Sequence, residues 1–135
     1  MTHPIIALQG PLFAALSADD DLVDMLDDGG IADGPPPGRH PPYLAIIRHD
    51  VLPRDGDETP GHEHRLLFHA WAAEPSRRAA AAIAERVVSI VLEADLSGEL
   101  RVTHRRLERT ETAIDRATGF ARAAIALTLF TEAAG

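Results

Sequence analysis

The chain has 135 residues, 45% of them hydrophobic, 4% aromatic and 25% charged, with no cysteine and a formal net charge of −8. A chain of this length reads as one domain, residues 1–135, which buries roughly two-thirds of its unfolded surface and needs no disulfide or metal to fold. Without cysteine there are no disulfide frameworks, thiolate zinc sites, iron–sulfur clusters or cysteine nucleophiles. The acidity speaks against tight DNA binding, because that affinity comes from neutralising phosphates.

Every basic residue is arginine, and the charge is unevenly placed. Up to His64 there are 12 acidic residues against 3 arginines, a balance of −9; from Arg65 onward there are 9 against 10, a balance of +1. No segment reaches the roughly 18 to 20 apolar residues of a membrane helix. The first apolar run, Ile5 to Leu8, has no basic residue ahead of it and meets Gly10-Pro11, so it does not read as a signal peptide. The chain reads as soluble and cytoplasmic.

From Pro4 to Leu16, Ile5, Leu8, Leu12, Phe13 and Leu16 recur at helical spacing, with proline acceptable in the first turn. Ser17 or Asp19 caps a second short helix through Leu22, Val23, Met25 and Leu26, ended by Gly29-Gly30. Residues 29–42 form a Pro/Gly-rich connection between the N-terminal helices (1–28) and an α+β core (43–131). Tyr43 to Arg48 reads as a strand and Asp50 to Gly61 as a long polar loop. His62 to Ala73 is a second strand, with Leu66, Phe68, Ala70 and Ala72 on one face and Arg65, Leu67, His69 and Trp71 on the other, both at least partly buried. Arg77 to Ala94 is a strong amphipathic helix with the stripe Ala80, Ile83, Val87, Ile90, Val91 and Ala94. Leu100 to Thr112 is a charged strand, Asp115 to Gly119 a turn, and Phe120 to Thr131 a final strand close to 40 Å long at about 3.3 Å per residue. The fold class is therefore α+β: an antiparallel sheet of about four strands packed by one long crossing helix, with one or two short N-terminal helices.

Few residues are arranged for chemistry. His62 and His64 alternate on one strand and could begin a zinc or nickel site if a third ligand came from elsewhere, but no HExxH or facial-triad spacing supplies one, and a solvated strand entrance explains them as well. The serines sit in no G-x-S-x-G elbow, and neither a Walker motif nor a dinucleotide fingerprint is present. The Asp19 to Asp28 cluster lacks the ligand alternation of a calcium loop and reads as a solvated acidic helix. No catalytic residue, metal or cofactor is assigned. The sharper reading of the charges is an interface between copies: the acidic face of Asp19, Asp20 and Asp24 complements the arginine strand Arg101, Arg105, Arg106 and Arg109.

Three further features recur together: the proline-rich lead into a strand, Pro41-Pro42-Tyr43-Leu44-Ala45-Ile46; a strand ending in an aromatic before a helix, Leu67-Phe68-His69-Ala70-Trp71-Ala72-Ala73; and the turn Asp115-Arg116-Ala117-Thr118-Gly119 before Phe120-Ala121-Arg122-Ala123. With the short N-terminal helix, the acidic stretch and the alanine-rich helix, the chain from Pro42 to Phe130 resembles the tail terminator (tail completion) proteins of long-tailed phages and phage-like gene transfer agents. The resemblance implies a non-enzymatic virion protein, assembled in the bacterial cytoplasm, that forms a hexameric ring at the head-proximal end of the tail tube. Such a ring stops tube polymerisation, meets the tail tube protein and a head-side stopper, and lets DNA pass without holding it. Another head–tail connector component, such as a stopper, is the runner-up; a small histidine-dependent metalloenzyme is the alternative from a different class. The loop residues Asp50, Arg54, Asp55, Asp57 and Glu58 are then candidates for docking to the tube or connector.

Overall fold

In a computed structural model, which describes residues 2–27, 30–34, 40–55 and 60–134 of the chain, two long antiparallel pairs are joined through their inner strands. The elements in order are α1 (Pro4–Ser17), α2 (Asp20–Met25), β1 (Ile31–Asp33), β2 (Tyr43–Asp55), β3 (Pro60–Trp71), α3 (Arg77–Glu93), β4 (Leu100–Ile114) and β5 (Ala121–Ala133). The sheet order is β1-β2-β3-β5-β4, antiparallel except for the β1·β2 pair. The α+β reading holds, with one more strand than expected: Ile31–Asp33, assigned to the connection, lies parallel to Leu44–Ile46.

The loop expected over Asp50 to Gly61 is mostly strand, another departure. β2 and β3 continue as a ladder to the Arg54↔Gly61 and Asp55↔Pro60 pairs. Pro53 is tolerated because β1 pairs only with Leu44–Ile46, which leaves the outer side of β2 unpaired beyond that point, and a strand edge does not require the missing N–H. Glycine is required at position 61, where a Cβ would come within 2.8 Å of the Arg54 carbonyl oxygen.

Every second residue of β5 faces the helices: Ala121, Ala123, Ile125, Leu127 and Leu129 are all buried there. Leu44 and Ile46 of β2 and Leu66, Phe68 and Ala70 of β3 share that face, and Leu8, Leu12 and Leu16 of α1 with Ala80, Ile83, Val87 and Val91 of α3 close over it. Each helix start has its own cap: the His3 ring accepts from Ile5 N–H, Asp19 Oδ1 from Leu22 N–H at 2.9 Å, and Ser76 Oγ from Ala79 N–H at 3.1 Å. Helix α1 continues through Pro11, whose flank faces Gly98 of the α3–β4 connection.

The far end of α3 is finished by a side chain from the sheet. Arg105 Nη1 donates to the carbonyl oxygens of Val91 at 3.1 Å and Ala94 at 2.6 Å, two groups that no helical N–H can satisfy. Two irregularities in β4, between Val102 and His104 and between Leu107 and Arg109, set this up. Arg101, Arg106 and Arg109 pair opposite Glu132, Thr128 and Ala126 on the face away from the helices, while Arg105 pairs opposite Leu129 on the helix side. Replacing Arg105 with alanine is expected to cost about 1.5–3 kcal/mol in urea unfolding, the range for hydrogen bonds from a charged donor. Arg106→Ala, on the exposed face, is expected to cost under about 0.5 kcal/mol.

Candidate functional site

Two arrangements bring polar residues together, one on each side of the sheet. On the helix side, near the start of α1, His49 Nε2 lies 2.8 Å from His64 Nδ1, and His64 Nε2 lies 2.8 Å from Thr131 Oγ1. His62 stands beside them, its ring centroid 6.4 Å from that of His64. His3, His49, Asp50 and His62 line a surface cleft between α1 and the β2–β3 pair. His64 has both ring nitrogens hydrogen-bonded, so the His62/His64 pair is not a pair of open metal ligands. Among the described residues no group of three His, Asp or Glu side chains is placed to hold one metal ion.

Burial pushes the pKa of His49 and of His64 down from 6.5 to about 4, with the nearby imidazoles adding to the effect at His64 and Asp50 opposing it at His49. Both rings are therefore neutral at pH 7, as a chain of imidazoles sharing hydrogen bonds requires.

The helix-free face is crossed by ion pairs. Glu63, although buried, accepts from Arg54 and Arg65, whose guanidinium groups hold its carboxyl below the usual carboxylate range. Arg106 pairs with Glu108, Arg109 with Glu111, Arg101 with Glu132 and Arg48 with Asp50. Toward the end of the strands where Tyr43, Trp71 and Arg122 align, the side chains become smaller and less charged, with Ala45 buried and Leu67, His69, Ala124 and Ala126 half-buried.

The sequence-derived candidates are dispersed over these surfaces. Asp19 is committed internally: besides capping α2 it forms a two-pronged pair with Arg86 of α3, at 2.9 and 2.5 Å, which holds its carboxyl below the ordinary range. Arg105 is committed to α3, whereas Asp20 and Asp24 are exposed on α2. Arg101, Arg106 and Arg109 share the helix-free face and are already paired there. Asp50 and Arg54 lie on β2, and the backbone of Asp55 ends it; Asp57 and Glu58, like the Asp55 side chain, lie outside the described residues. Sequence reasoning missed the Tyr43–Trp71–Arg122 row, which depends on a register between three strands. The only signal was that the single tyrosine and single tryptophan of the chain both stand at strand ends.

The chain is thus a small α+β domain with helices on one face of its sheet and ion pairs on the other. The family model described as "Tail completion protein gp17" matches residues 10–132, and the chain belongs to this family of structural tail proteins. A solved chain from a structure titled "Virion of native gene transfer agent (GTA) particle" shares the fold, with a TM-score of 0.82 at 21% identity over 98% of this chain and 99% of that one. No curated protein matches.

The histidine chain makes stability depend on pH. Because both folded-state pKa values lie below the unfolded value of 6.5, the stabilisation is fully present above about pH 6.5 and is lost as pH falls through about 4. At about 1.4 kcal/mol per pH unit the two rings set an upper bound of about 7 kcal/mol, which solvent near the half-buried His49 lowers, so a loss of at least about 2 kcal/mol between pH 7 and pH 4 is expected in urea unfolding. His64→Gln should flatten the part of this dependence above pH 4.5; an unchanged profile would remove the histidine pair as its cause.

Proposed function

We propose that the chain acts as a single domain that forms a ring, six subunits around, at the head-proximal end of a phage-like tail tube. There it ends tube polymerisation and presents a docking surface to the head-side connector. Membership of the tail completion family over residues 10–132 carries this reading. Its setting is the virion, with assembly in the bacterial cytoplasm.

The charge supports it. A net charge of −8, with the arginines of the helix-free face bound to neighbouring carboxylates, suits a ring through which DNA passes without being gripped. No catalytic step is assigned. The tip of the β2–β3 pair, flanked by Arg54 and Asp55, is the proposed docking element, and Asp20, Asp24, Arg106 and Arg109 remain exposed for contacts between subunits or with the tube.

Particles made without this chain should carry tails of irregular length that fail to join heads, and electron micrographs of complete particles should show a six-fold ring at the tail's upper end. Tails of normal length, joined normally to heads in its absence, would defeat the reading. DNA retention by the purified chain at physiological salt should be undetectable.

A further inference from the structure

Two surfaces lie at one end of the molecule, one on each face of the sheet. On the helix-free face, Tyr43 lies opposite Trp71 and Trp71 opposite Arg122, so the chain's only tyrosine and only tryptophan sit side by side with an arginine. Aromatic residues make up 4% of the chain, and this half-buried pair stands on the face that no helix covers among the described residues. Tryptophan, tyrosine and arginine are the residues most enriched at the energetic centres of protein interfaces. In the next row His69 lies between Ala45 and Ala124, with Leu67 and Ala126 beyond it, so small and apolar side chains surround one imidazole. Arg122 Nε is buried without a hydrogen-bond partner among the described residues, and its guanidinium reaches Glu111 only at 3.9 Å. A buried, unpaired donor on a charged group is costly, and an acceptor from outside would relieve it.

The second surface lies on the helix side at the same end of the strands. Met25, Pro42, Ala73, Ala79, Ala82 and Ile83 line an open apolar groove between α2 and α3, and Met25 is 37% exposed. Pro42 directly precedes Tyr43 and Ala73 follows Trp71 by two residues, so groove and aromatic pair occupy opposite faces of the same end. Glu74 lines the groove as well, and Met25 belongs to α2, whose Asp21 and Asp24 are exposed.

We propose that the Tyr43–Trp71–Arg122 surface of one copy seats in the Met25–Ile83 groove of a second copy, with Arg122 donating to Asp24 of that copy. This contact rests on the ring reading and gives it a surface. Because the two patches differ and lie on opposite faces, each subunit offers one and receives the other, the heterologous arrangement that closes rings. Charge favours a second copy over another partner: an arginine-edged aromatic surface meets an apolar groove that holds Glu74 and adjoins the acidic helix α2.

Trp71, as the only tryptophan, reports on its own burial. As the full-length chain is concentrated, its emission should shift to shorter wavelength in step with the rise in mass seen by sedimentation velocity. Trp71→Ala, Arg122→Glu and Asp24→Arg should each weaken association about ten-fold or more, while the pair Arg122→Glu with Asp24→Arg restores most of the loss. Where association requires tubes, the same variants are scored by incorporation into purified tails. Circular dichroism and thermal melting establish that each variant is folded. Folded variants that associate like the parent, a double variant no better than the singles, or a spectral shift produced by tube protein alone would each overturn this contact. A six-fold ring formed normally by Arg122→Glu would overturn the contact and leave the ring; a parent chain that forms no ring in solution or on tails would overturn both.

Discussion

The structure turns on β5, which must be buried on one face and hydrogen-bonded along both edges at once. It lies between β3 and β4, pairing with β3 from Gly61↔Glu132 to Trp71↔Arg122 and with β4 from Leu100↔Ala133 to Ile114↔Ala121. The alternation of Ala121, Ala123, Ile125, Leu127 and Leu129 allows this, because a one-residue slip would turn those side chains to the open face and the polar ones inward. Helix α3 lies over β5 and β4, α1 and α2 pack against α3, and β2 is placed by its pairing with β3. The ion pairs of the outer face are a consequence. With no helix over it among the described residues, that face carries charge pairs, some along one strand and some between neighbouring strands, together with small side chains.

Much of this was legible in the sequence because local patterns carried it. Helix α3 has a strong apolar stripe and a serine cap; β3 and β5 alternate; the turn before β5 carries Asp115, Thr118 and a glycine with φ of 79° at Gly119. Two elements were missed for local reasons as well. Three residues, Ile31–Asp33, are too few to show a period, and they form a strand only because Leu44–Ile46 offers an edge. Residues 50–55 look like a loop because aspartate and proline are poor strand formers, but an edge strand tolerates both.

The candidate surfaces were legible in composition and not in placement. The arginine cluster of β4 was visible, yet two bulges decide that Arg105 turns inward to α3 while Arg101, Arg106 and Arg109 turn outward. Asp19 was visible as a cap, but its pairing with Arg86 spans a sequence separation of 67 residues. The Tyr43–Trp71–Arg122 row joins three strands and exists only through their mutual register. Identity, by contrast, came from the pattern of elements as a whole, which the family match follows across nearly all of the chain.

The position of β5 in the chain also orders events in time. It is the central member of its half of the sheet, yet it is synthesised after both strands it separates. Until β5 is free to pair, β3 and β4 each have an unsatisfied edge, and α3 has only part of the surface it will cover. Such long-range pairing folds slowly and leaves nascent chains open to mispairing with one another.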